Sequence, residues 1–186
     1  MHRIKKLMYM FRRIPKDSYF GFIQGHNYLD DVAVERIQKI VGKSSLETIE
    51  KFETEFAAQI GRSQAVSFAA GRMGFYALMK ILGIGKCDEV ILLGHTCSVM
   101  PNAVWRTDAK PVFADIDPNT FGSSAKEIEK VITFKTKMIV AQHSFGIPCK
   151  IEPIVDLARQ KGIFLLEDCA ITLGSKINGI QVGNFG

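Results

Sequence analysis

The chain has 186 residues, 47% of them hydrophobic and 23% charged, which suits one ordinary domain with a real core and is too apolar for a disordered chain. No apolar run approaches the roughly 20 residues of a membrane span. The four cysteines, Cys87, Cys97, Cys149 and Cys169, form no CxxC pair, which points to reduced thiols in a cytoplasmic compartment and away from a metal cluster.

The formal net charge of +5 is local. Arg3, Lys5, Lys6, Arg12, Arg13 and Lys16 all precede the first acid, Asp17, and removing these six leaves 18 basic against 19 acidic residues. The body is therefore nearly neutral, which gives no support to a nucleic-acid-binding body. Within residues 1–16, Ile4, Leu7, Met8, Phe11 and Ile14 recur at helical spacing with basic residues between them. The stretch lacks the continuous apolar core and cleavage site of a secretory signal. It reads either as a helix lying weakly on a membrane surface or as an arm packed on the body or on a partner subunit.

Residues 30–41 read as a helix ended near Gly42, so that 1–43 form a basic arm and helix ahead of the domain proper, 44–186. Ser44 with Glu47 makes a capping box for a second helix, whose buried stripe is expected to be Leu46, Ile49, Phe52, Phe56 and Ile60. From there strands and helices alternate. Strands are expected at 65–68, 89–93, 111–114, 138–141 and 163–166, with helices at 71–82, 99–106, 125–132 and 151–161. Asn178-Gly179 marks a hairpin over 176–182. Repeated βα units predict an α/β fold, a mostly parallel sheet with helices on both faces.

Ligands of such sheets collect beyond the carboxyl ends of the strands, and several segments there carry chemistry. Gly71-Arg72 opens a helix, where free N–H groups, a positive dipole end and a guanidinium suit an anion. It is neither a GxGxxG nor a P-loop. Gly94-His95-Thr96-Cys97-Ser98 follows the next strand, and His95 or Cys97 could cover a flat ligand; each equally suits ordinary packing. His143 follows the strand at 138–141. Asp168 closes the last strand after Phe164-Leu165-Leu166-Glu167, where it is either a loop or helix-capping residue or the partner of a buried cation such as a pyridinium nitrogen.

Taken in order, these segments resemble the large domain of the DegT/DnrJ/EryC1/StrS aminotransferases, fold-type-I pyridoxal phosphate enzymes that mostly aminate keto groups of nucleotide-linked sugars. The resemblance runs from about Ser44 to Gly186. It is carried by Phe52-Glu53-Thr54-Glu55-Phe56-Ala57 with Gly61, by Gly71-Arg72, and by the run from Pro111 through Asp115-Ile116-Asp117-Pro118-Asn119 to Phe121. Thr136-Lys137-Met138-Ile139, His143-Ser144-Phe145-Gly146, Glu167-Asp168-Cys169-Ala170 and Val182-Gly183-Asn184-Phe185-Gly186 continue it.

The resemblance implies pyridoxal 5'-phosphate as cofactor and no metal. Asp168 matches the family's partner of the pyridine nitrogen, Gly71 and Arg72 its phosphate-binding turn, Cys97 the place of an aromatic ring over the cofactor, and His143 the family's His. In three respects the chain departs from the pattern. Ile171 stands where Gln is usual, and Cys97 replaces the aromatic. The Schiff-base lysine is expected beyond Gly186, so that the chain reads as an N-terminal portion lacking it and the small C-terminal domain. The implied function is amino transfer from an amino acid, glutamate foremost, to a nucleotide-linked keto-sugar in surface-glycan synthesis, by a cytoplasmic homodimer. The alternatives are a sugar dehydratase of the same family and a non-catalytic paralogue acting as a subunit or surface-binding module.

Overall fold

The computed structural model describes residues 30–40 and 46–186. The basic arm, Gly42 and the Ser44 cap lie outside the described residues. Helix α1 (Asp31–Ile40) has Asp31 in its first turn and Lys39 in its last, the charge order that suits the helix dipole. It falls in the first of the two units into which the chain divides.

The second unit, Ser45–Gly186, is built as α2 (Leu46–Ile60), α3 (Gly71–Ile81), β1 (Glu89–Leu93), α4 (Val99–Trp105), β2 (Lys110–Ala114), α5 (Ala125–Val131), β3 (Thr136–Gln142), α6 (Ile151–Lys161) and β4 (Phe164–Asp168). A short hairpin, β5 (Lys176–Ile177) and β6 (Ile180–Gln181), follows. The four long strands form one parallel sheet in the order β2-β1-β3-β4. Glu-Val-Ile-Leu-Leu of β1 is buried throughout, and β3 is buried at five of its seven positions. Central parallel strands covered on both faces need such near-continuous apolar runs.

The alternation of side chains sorts the core into two layers. Val90, Leu92, Met138, Val140 and Leu166 pack with Phe75 and Met79 of α3 and Ala103 and Val104 of α4. Ile91, Ile139, Ala141 and Leu165 pack on the other face with Ile128 of α5 and Ile151, Ile154 and Leu157 of α6. The expected helix-covered parallel sheet is therefore present, with element ends within two residues of the sequence reading. In the hairpin turn, Asn178 (φ 49°) and Gly179 (φ 83°) both lie in the left-handed region that a two-residue turn of this twist requires.

Two expectations are corrected. Residues 65–68 form no strand: the Ser67 amide and hydroxyl both donate to Glu53 Oε1, at 2.6 and 2.7 Å, and Val66 is exposed. The donor that a ladder would use is held by a side chain instead. The stripe on α2 is also not buried. Leu46, Ile49 and Phe52 face outward, and Phe52 stacks on Phe56 at 5.9 Å. The periodicity identifies a face able to be covered, and on it only Phe56 and Ile60 are half-buried.

The turn between β2 and α5 is fastened to the end of β3. Ser123 N–H donates to the Gln142 carbonyl at 3.1 Å, and Gln142 N–H donates to Ser123 Oγ at 2.9 Å. A Cβ on neighbouring Gly122 would lie 2.9 Å from the Gln142 carbonyl oxygen and 2.9 Å from Cys149 Cβ. Neither can swing away as a surface side chain would. Gly122→Ala is therefore expected to destabilise the protein by about 1–3 kcal/mol. A thermal midpoint equal to the parent's would contradict the tightness of this approach.

Candidate active site at the carboxyl ends of β1, β3 and β4

Because all four strands run the same way, the segments after β1, β3 and β4 emerge at one edge of the sheet. Register then decides which face each residue serves. Gln142 pairs with Asp168 and Ala141 with Glu167. Asp168 shares the parity of Leu166 and so belongs to the α3/α4 face, whereas Glu167 shares that of Leu165 and belongs to the α5/α6 face.

The α3/α4 face gathers most of the sequence candidates. Gly71 is the first residue of α3, and Ala70 before it offers no side-chain cap. A Cβ at Gly71 would meet nothing within 4 Å, so this helix start opens on free space. Arg72 lines a cleft of about 900 Å³ between α3 and α4, walled by Phe68, Tyr76 and Trp105. That cleft is not where the polar groups converge, since neither Asp168 nor Cys97 lines it. Cys97 is exposed on the segment after β1 and accepts the Met100 amide on its carbonyl.

Gln142 ties this segment to β3. Thr96 Oγ1 donates to Gln142 Oε1 at 2.6 Å, and Gln142 Nε2 donates to the His95 carbonyl at 3.3 Å. The His95 ring lies 5.8 Å from that of Phe145. Asp168 Oδ1 accepts the Ala170 amide at 3.0 Å. Among the described residues its carboxylate forms no ion pair. A partly buried carboxylate at a strand end, held by one amide and lacking a cation, is suited to receive a cationic group.

His143 is placed apart from these residues. Its side chain is fully buried on the opposite face. The Cys149 amide donates to its Nδ1 at 3.0 Å, so the hydrogen-bond geometry assigns the ring proton to Nε2, which donates to Glu167 Oε2 at 3.2 Å. Glu167 Oε2 also accepts Gly183 N–H at 2.8 Å, and its Oε1 accepts Phe185 and Gly186 N–H at 2.6 and 2.7 Å. Burial pushes the Glu167 carboxyl upward, but His143 and the three amides outweigh it and hold the group below its ordinary value.

Burial, then the charge on Glu167, pushes Cys149 to about 12; burial, then Glu167 and Asp168, does the same to Cys169, also to about 12. His143, Glu167 and Cys169 bring one donor atom each within 4.8 Å of one another. A metal there would take Nε2 while Nδ1 still faces the Cys149 amide as an acceptor, leaving the ring with neither proton. The set does not suit a cation.

Of the residues that sequence reasoning singles out, the structure puts Gly71, Arg72 and Asp168 on the α3/α4 face, Cys97 on the exposed segment after β1 and His143 on the opposite face; that reasoning assigns no role to Gln142 or Glu167. Glu167 carried a readable signal, an acid next to Asp168 with opposite strand parity and a glycine-punctuated run downstream.

Among known proteins, a model described as the DegT/DnrJ/EryC1/StrS aminotransferase family matches residues 30–186. A GDP-perosamine synthase of Escherichia coli O157:H7 is 41% identical over 138 residues, which span 74% of this chain and 38% of that protein. An aminotransferase structure from Psychrobacter cryohalolentis superposes with a TM-score of 0.79 at 29% identity, over 84% of this chain and 41% of that one. An E. coli GDP-4-keto-6-deoxy-D-mannose-3-dehydratase with bound hydrated PLP superposes with a TM-score of 0.76 at 25% identity, over 87% and 44%. The chain spans less than half the length of each of these proteins.

Proposed function

Since the chain belongs to the DegT/DnrJ/EryC1/StrS aminotransferase family, we propose that it is the cofactor-binding part of a pyridoxal phosphate enzyme that moves an amino group from an amino acid, glutamate foremost, to a keto group of a nucleotide-linked sugar. The observation that carries this reading is Asp168: a carboxylate at the end of β4, on the face shared with the start of α3, held by the Ala170 amide and without a cationic partner among the described residues.

The residues present fit the cofactor. Asp168 would pair with its ring nitrogen. The open N-terminus of α3 at Gly71, with Arg72, would hold its phosphate. Cys97 would lie beside the ring without the stacking an aromatic supplies, and His143 would support the site from behind the sheet. Pyridoxal phosphate, when bound, supplies the electron sink that such a transfer needs. The perosamine synthase among the relatives supports a nucleotide-linked sugar as acceptor. A cytoplasmic homodimer is the setting this reading carries; among the described residues, no helix is long and apolar enough to cross a membrane.

The full-length protein, given pyridoxal phosphate, glutamate and a GDP-linked 4-keto-6-deoxy sugar, is expected to yield 2-oxoglutarate and the corresponding amino sugar in equal amounts. Dehydration is the second reading, favoured by the likeness to the dehydratase. With glutamate as the source of two electrons, released as 2-oxoglutarate and ammonia, it would give a sugar product in which one C–OH has become C–H, lighter by one oxygen and carrying no added nitrogen. Mass spectrometry of the sugar separates the two, and an unchanged sugar across a panel of GDP-, dTDP- and UDP-linked ketones would overturn both.

A further inference from the structure

Four donors converge on the Glu167 carboxylate: the His143 ring and the amides of Gly183, Phe185 and Gly186. Only an ionised carboxylate, an acceptor at both oxygens, satisfies all four; an amide of the same shape would turn its NH₂ against two donors. Its side chain is 3% exposed and that of His143 is 0% exposed, so no solvent replaces a lost partner. The ring cannot accommodate a change by moving its proton, because Nδ1 must stay an acceptor for the Cys149 amide.

The same His143 donates its backbone N–H to the Asp168 carbonyl at 3.2 Å, the last bond between β3 and β4. Arg62 and Asn184 add outer fastenings, Arg62 to the Gly183 and Gly186 carbonyls and Asn184 to the Ile60 carbonyl. The Gly183–Gly186 segment is thereby closed against β4 from the side of the sheet away from Asp168.

We propose that Glu167 is a positioning residue for Asp168: acting through the neutral, Nε2-protonated His143, it locks the end of β4 so that the Asp168 carboxylate faces the site in a fixed orientation. This rests on the reading of Asp168 as the partner of the cofactor, and it concerns binding of that cofactor independently of turnover.

The test is a double-mutant cycle in the full-length protein, read by equilibrium binding of pyridoxal phosphate, together with amide exchange. Glu167→Gln is expected to weaken binding at least tenfold when Asp168 is present and less than twofold in an Asp168→Asn background. An unchanged affinity, or the same loss in both backgrounds, would overturn the positioning role. If Asp168→Asn itself binds as the parent does, the cofactor reading has failed. The lock is then judged by exchange of the Gly183, Phe185 and Gly186 amides. Glu167→Gln accelerates it at least tenfold if the lock exists, and unchanged exchange removes the lock. Should Glu167→Gln fail to fold, nitrogen NMR of His143 in the unmutated protein decides. A neutral ring protonated at Nε2 is expected, and a proton at Nδ1 would contradict the arrangement.

Discussion

Asp168→Asn in the full-length protein will fold as the parent does and lose amino-transfer activity by about 10²-fold or more. Asparagine keeps the shape of the side chain and the acceptor for the Ala170 amide, so the strand end need not move. What it removes is the negative charge facing the site, and with it the group that would keep a bound ring nitrogen protonated. Each 1.36 kcal/mol of transition-state stabilisation is tenfold in rate, so this loss corresponds to about 2.7 kcal/mol or more. Steady-state turnover with a keto-sugar acceptor measures it, with circular dichroism as the control for folding. A variant within twofold of the parent would refute the assignment of Asp168.

Ile139→Ala will have the largest effect on stability. Ile139 is fully buried in the middle of β3, between β1 and β4, and its layer is completed by Ile91, Ala141, Ile128 and Ile154. Its neighbours are themselves wholly enclosed, so the space left by the lost side chain cannot collapse from any direction. Such substitutions cost about 2–5 kcal/mol. Urea unfolding of parent and variant measures the difference, and a shift below about 1 kcal/mol would mean that β3 is not the tightly packed centre it is taken to be.

The order of βα units could be read from the sequence because each element carries its own period and its own punctuation. Ala-Val-Ser-Phe at 65–68 satisfies the same local rule as the true strands. Whether it pairs depends on a neighbour, and here its donors go to Glu53. The apolar stripe of α2 is the same lesson on a helix: spacing defines a surface, and only tertiary contacts say whether anything covers it. At the site, residue types were legible and faces were not. Asp168, Arg72 and Cys97 stand out as chemistry at strand or helix ends, but the separation of His143 from Asp168 follows from the pairing of Gln142 with Asp168. That register is a property of two strands and is absent from either one alone. Gln142 was invisible for a related reason: its role lies in joining the loop after β1 to the end of β3.

The alternation at the end of β4 has a consequence for how this protein can change. Glu167 and Asp168 are chemically near-equivalent neighbours, yet one is surrounded by donors and the other opens toward solvent-accessible space. A single-codon insertion or deletion within β4 would exchange their directions. A deletion would bring Asp168 to the place of Glu167 and leave the shorter carboxylate to meet four donors arranged for Glu, whereas an insertion would bring the longer Glu167 to the place where Asp168 had stood and leave the donors without it. Point substitutions on the open face can therefore be sampled one at a time during divergence, because the support behind them is undisturbed. Changes of length in this strand cannot, and natural length variation is expected to fall in the connections before Phe164 and after Cys169 instead.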